Sequence, residues 1–221
     1  MKNFFIKACA LSFALAAVGT ASADNNFGFG VKAGTLGLGV EGTWRPLPYL
    51  DLRFGANQYD YSDTGTQANI LYDSELNLET LYLTGNFRFP LSPFRVTAGV
   101  YSNGNEINMV SGDNGAIIIV GGDLYPSAAV GTVTSRAYFD STSPYLGVGY
   151  DFSLFGKVGM NLDFGVLWQG SPNVDIGVDG ILADDPTFQA SLEAERLELE
   201  EEISDYKAWP VVSLGFVVNF L

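Results

Sequence analysis

Eight residues able to hold charge or strong hydrogen bonds fall at the polar phase of a two-residue alternation. They are Lys32, Glu41, Arg53, Arg88, Arg95, Asp151, Asn161 and Asp163, and each is flanked on both sides by apolar, aromatic or glycine residues. In a strand, alternate side chains point to opposite faces, so these eight are expected on one polar face while their neighbours form an apolar one. Gln169 and Asn219 share the polar phase. The chemistry such a set supports is electrostatic. Cations and carboxylates on one confined face pair with one another, because an unpaired buried charge is very costly. The alternative is a narrow charged path or shallow pocket for small polar solutes, with inward glycines leaving room for it.

Acid–base and metal chemistry are disfavoured by composition. The chain has no histidine and a single cysteine, Cys9. Barrel enzymes that cut or transfer acyl groups depend on a histidine general base, and zinc sites on histidine or cysteine. No catalytic residue, metal site or cofactor is therefore expected. Gly37-Leu38-Gly39-Val40-Glu41-Gly42 matches the spacing of a dinucleotide loop, but its glycines alternate inside a strand pattern with Pro46 behind, where a helix would be needed.

Eight strands are expected to position the polar set: Phe27–Ala33, Leu36–Arg45, Leu50–Tyr61, Tyr72–Phe89, Phe94–Asn105, Tyr145–Leu154, Lys157–Trp168 and Ala208–Leu221. The run from Lys157 to Trp168 is the clearest, with Val158, Met160, Leu162, Phe164, Val166 and Trp168 on one face. Leu36, Leu38, Val40 and Trp44 form the apolar face of the second strand. In the fourth, Leu76 and Leu78 are out of phase with Leu81, Leu83, Phe87 and Phe89, which calls for a bulge near Thr80 or emergence from the membrane there. Outward-facing residues among Trp44, Tyr82, Phe87, Phe89, Tyr150, Trp168 and Trp209 suit interfacial aromatic girdles.

Short links alternate with long ones at Ser62–Leu71, Asn108–Ser143 and Gly170–Ser204, as in barrels with short periplasmic turns and long external loops. Ser62–Leu71 reads as a polar loop, and Ile117–Val120 as a hairpin extending the barrel wall. Asp185–Ser204 reads as a short amphipathic helix: Asp185 is the N-cap, Pro186 opens it, and Phe188, Leu192, Leu199 and Ile203 share a stripe. It is expected to cap the barrel mouth or to act as an acidic lid.

Residues 1–23 read as a secretory leader: Lys2 and Lys7, an apolar run from Ala8 to Val18, and Ala21-Ser22-Ala23 before a mature start at Asp24. Losing both lysines takes the formal charge from −14 to −16. That acidity disfavours nucleic acid as a partner. No stretch after residue 23 is apolar for long enough to be a membrane helix, and the only other fold that satisfies its backbone in lipid is a closed barrel. The fold class expected for residues 24–221 is all-β. It is an eight-stranded antiparallel outer-membrane barrel with a short helix in its last long loop, contacting lipid and lipopolysaccharide as a monomer. The function expected is a narrow channel or facilitator for small polar solutes such as amino acids, with a closed, non-transporting barrel in a structural envelope or surface-interaction role as the alternative.

Several segments sharpen this reading. Pro144-Tyr145-Leu146-Gly147-Val148-Gly149, Gly170-Ser171-Pro172-Asn173-Val174-Asp175 and Tyr206-Lys207-Ala208-Trp209-Pro210-Val211 resemble the last three strands of CarO-type outer membrane proteins. Gly34-Thr35 with Gly37 resembles their glycine-rich first hairpin, and the acidic helix before the final strand is also similar. The resemblance implies a monomeric eight-stranded barrel without a wide pore. It also implies a link to slow uptake of small amino acids and to carbapenem susceptibility. No compact catalytic or binding motif carries over residue by residue.

Overall fold

The alternation becomes a closed barrel in a computed structural model that describes residues 27–67, 70–111, 117–155 and 157–220. The leader expected at residues 1–23 lies outside the described residues, as does Leu221. In chain order the elements are β1 (Phe27–Gly34), β2 (Gly37–Leu47), β3 (Leu50–Gln67), β4 (Ile70–Arg88), β5 (Phe94–Asn103), β6 (Glu106–Ser111), β7 (Ile117–Val120) and β8 (Asp123–Pro126). There follow α1 (Ser127–Val130), β9 (Val133–Tyr138), β10 (Thr142–Phe155), β11 (Val158–Trp168), β12 (Asn173–Val178), α2 (Pro186–Glu202) and β13 (Ala208–Phe220).

Strands β1 to β5, β10, β11 and β13 form the barrel, each antiparallel to its neighbours. Closure is made by β1 on β13, from Phe27 opposite Phe220 to Gly34 opposite Ser213. A closed ladder leaves no edge, which is what lipid demands of a sheet. The outer face carries the apolar phase: Leu81, Leu83, Phe87, Val100, Leu146, Val148, Phe164, Leu214 and Phe216 are all exposed. A contiguous apolar belt around a barrel is a lipid-facing surface.

The phase change in β4 has a simple cause. The β3–β4 ladder runs without a break from Leu50 opposite Phe87 to Gln67 opposite Ile70, so there is no bulge near Thr80, and residues 62–67 and 70–71 of the expected polar loop are strand. Instead the environment inverts. Below Thr80 the wall is apolar outside and polar inside. Above it, Glu75 and Glu79 face water, while Leu76 and Leu78 turn inward, Leu78 fully buried. β4 changes partner at the same place, from β5 over Thr80–Arg88 to β6 over Tyr72–Asn77. At about 3.3 Å per residue, a strand this long outreaches the hydrocarbon layer about twofold. The hairpin therefore stands well clear of the lipid.

β6, β9 and β12 continue this raised wall as an outer sheet. The Ile117–Val120 run does not extend it; β7 pairs only with β8, as a separate two-stranded hairpin. Val120, Val130, Phe188 and Leu192 bury together between that hairpin, α1 and α2. The helix starts where expected: the Asp185 side chain accepts from the Thr187 and Phe188 amides at 2.9 and 3.0 Å. It packs on β7 and β12. Two of its carboxylates accept from backbone amides: Glu200 from Val174 at 3.0 Å and Glu195 from Gly121 at 2.9 Å.

Candidate functional site

All eight residues singled out by alternation converge in the barrel lumen. Arg95, with 1 % of its surface exposed, reaches from β5 to Asp151 on β10 and Asp163 on β11, one guanidinium nitrogen on each. Arg88 approaches Asp151 at 2.6 Å and donates to Asp51. The Arg88–Asp151 contact is a close ion pair not aligned as a hydrogen bond. Arg53 lies at the centre, 3.6 Å from Glu41, 3.5 Å from Asp151, 3.5 Å from Asp163 and 3.8 Å from Asp51. Glu41 accepts from the Tyr82 hydroxyl at 3.0 Å and the Asn161 amide at 3.1 Å. Lys32 places its ammonium 3.9 Å from the centre of the Tyr82 ring, a cation–π contact.

The cluster is close to neutral: Lys32, Arg53, Arg88 and Arg95 stand against Glu41, Asp51, Asp151 and Asp163. Asp51 is the partner that alternation placed inward without marking it as a site residue. It is fully buried and also accepts from Asn86 at 2.5 Å, whose own carbonyl accepts from Thr97 at 2.6 Å. Asp51 looks in the sequence like any polar residue next to a turn; only the register brings it under Arg88.

A second layer closes the lumen on the external side. Tyr82 stacks on Tyr101 at 5.0 Å, and Tyr101 meets Tyr145 at 5.2 Å. Leu36, Leu167 and Val211 pack with them, and Trp209 lies against the group. Tyr82 and Trp209 face inward and so are not among the outward-facing girdle residues. One expectation is corrected here. Leu36 is not on the outer face of β2: it is the second residue of the Thr35–Leu36 turn and packs on the tyrosines, 4 % exposed. Trp44, Phe87, Phe89 and Trp168 are exposed on the outer face.

The inward glycines do not leave an open path. A side chain at Gly147 or Gly165 would strike the Tyr145 ring, at Gly55 the Tyr82 ring, and at Gly149 the Arg95 guanidinium. The room they provide is filled by the neighbouring Tyr145, Tyr82 and Arg95 side chains. Between the charge cluster and the tyrosines, a void of 20 Å³ remains, touched by Lys32, Glu41, Arg53, Tyr101 and Asp163. A water needs about 10–15 Å³ of such space, so the void takes about one. At the short-turn end a polar vestibule of 340 Å³ opens, lined by Arg45, Arg88, Asp151, Asn161 and Asn219. Gln169 sits higher, 1 % exposed, above the tyrosine layer.

The closed ladder, the lipid belt and the polar interior define an eight-stranded β-barrel of the outer-membrane type. The fold is shared with the crystal structure of Acinetobacter baumannii CarO2, at a TM-score of 0.58 and 21 % identity, covering 88 % of this chain and 98 % of that one. Acinetobacter baumannii CarO is similar at a TM-score of 0.57 and 20 % identity, covering 91 % of this chain and all of that one (100 %). No protein-family model matches the chain, and no curated protein matches it in sequence.

Proposed function

We propose that this chain is an integral outer-membrane barrel, closed at rest, that works through its raised external module while its lumen holds the wall together. The observation that carries this is the 20 Å³ void between the ion-pair cluster and the tyrosine layer. Nothing larger than a water fits there without rearrangement. The apolar belt and the closed ladder of the barrel strands support a monomer in lipid, with lipopolysaccharide against its outer leaflet side.

A second reading is favoured by the vestibule. Arg45, Arg53, Arg88 and Asp151 line its 340 Å³, with Arg88 and Arg53 already 2.6 and 3.5 Å from Asp151. Opposite charges a few ångströms apart complement a zwitterion such as a small amino acid. On this reading the barrel is a slow facilitator in which solutes pass by exchanging partners with Arg53, Arg88, Arg95, Glu41 and Asp163. Swelling of proteoliposomes in glycine separates the two. Rates equal to empty liposomes support the closed barrel; a slow, saturable excess that is lost in Arg53→Met supports the facilitator.

A further inference from the structure

Above the tyrosine layer the barrel is unequal in height. The β1–β2 turn is short, while β4, β6 and β9 rise past it. Between this tall wall, the low rim and the segment joining α2 to β13 lies a cavity of 620 Å³. Leu76, Leu78, Ile107, Phe139, Ile203 and Trp209 make it apolar, unlike the charged lumen below.

Its few polar groups are left open. Asn105 Nδ2, Gln169 Oε1 and Trp209 Nε1 are buried and have no hydrogen-bond partner, and all three residues line the cavity. Asn105 is 3 % exposed and Gln169 1 %. An unmade buried hydrogen bond is a standing cost, and a guest whose entry turns these two donors and one acceptor toward the cavity relieves it. The carboxylate at the rim, Glu106, is already taken by Arg136, whose Nε and Nη2 approach it at 2.8 and 2.6 Å. The ion pair closes on itself and leaves the guest's partners neutral. The volume lies within the range of small-molecule sites, about 300–1,000 Å³.

We propose that this cavity is a binding site for a neutral amphipathic small molecule: an aromatic or aliphatic body against Leu76, Leu78 and Phe139, and one amide or hydroxyl group held by Asn105, Gln169 and Trp209. The site is separate from the lumen cluster and does not depend on whether the lumen conducts.

The test uses the whole barrel in phosphatidylcholine nanodiscs, with meta-fluorobenzamide as probe and fluorine NMR as readout. A saturable shift is expected with protein and only linear partitioning with empty discs. Leu78→Trp and Ala137→Trp each fill the cavity and are expected to weaken binding at least tenfold; Gln169→Leu is expected to weaken it about fivefold. Fluorobenzene, which lacks the amide, is expected to bind at least tenfold more weakly. Folding of each variant is checked by its heat-dependent mobility on a gel, and Ala137→Trp carries the test if Leu78→Trp does not fold. Linear partitioning with the wild-type barrel, an unchanged isotherm in the folded filled variants, or equal binding of fluorobenzene overturns the proposal.

Discussion

Gly149 stands directly across the β5–β10 ladder from Arg95, and the Arg95 guanidinium occupies the space a side chain at Gly149 would need. The glycine is what lets Arg95 lie flat against the wall and reach Asp151 and Asp163 together. Large inward residue facing inward glycine is a repeated device here: Tyr82 lies opposite Gly55, and Asn161 opposite Gly215.

Gly149→Val is expected to displace Arg95 and leave two carboxylates short of a partner. Breaking one side of a buried ion pair costs about 3–5 kcal/mol. Urea unfolding in detergent is expected to show a loss of that order, whereas Gly177→Val on the outer sheet, where a side chain meets open space, is expected to cost far less.

Arg95→Met and Asp163→Leu are each expected to destabilise the barrel by several kcal/mol, on the order of the 3–5 kcal/mol of a broken buried pair. Together they are expected to cost clearly less than their sum, because the double variant leaves neither partner stranded. A double-mutant cycle read by urea unfolding measures the coupling.

The outer sheet is expected to loosen in acid. The Asn108 amide, and then Arg136, hold the Glu106 carboxyl below its ordinary range. A lowered carboxyl contributes stability above its unfolded value, near 4.3, and that contribution is lost as pH falls through the folded value. Amide exchange in β6 and β9 is expected to speed up below about pH 4 while the barrel strands stay protected. Glu106→Gln is expected to remove the pH dependence.

Asp185→Ala removes the cap that accepts from Thr187 and Phe188. A cost of about 1 kcal/mol is expected, confined to α2 and β7, with faster amide exchange in the first helical turn and unchanged barrel stability.

The barrel and its polar set were legible because the strand period of two survives wherever one face meets lipid: Lys157–Trp168 and the flanks of Arg53, Arg88 and Arg95 display it directly. The outer module was not. Above the membrane the wall inverts, apolar inward and polar outward, so residues 62–67 and 70–71 look like loop although the ladder continues through them. The tyrosine layer was hidden for a different reason. Tyr82, Tyr101 and Tyr145 become neighbours only through register across β4, β5 and β10, and a buried tyrosine has the same sequence surroundings as one in a girdle. Asp51 was hidden in the same way beneath Arg88.

The closure of the lumen by the Tyr82–Tyr101–Tyr145 layer over the ion-pair cluster is tested most directly by single-channel recording in planar bilayers. The wild-type barrel is expected to give no sustained unitary steps in potassium chloride. The Tyr101→Ala, Tyr145→Ala double variant, shown to be folded by its heat-dependent gel mobility, is expected to give steps or a raised leak. Sustained steps from the wild-type barrel at the same size as from the double variant would contradict a closed lumen.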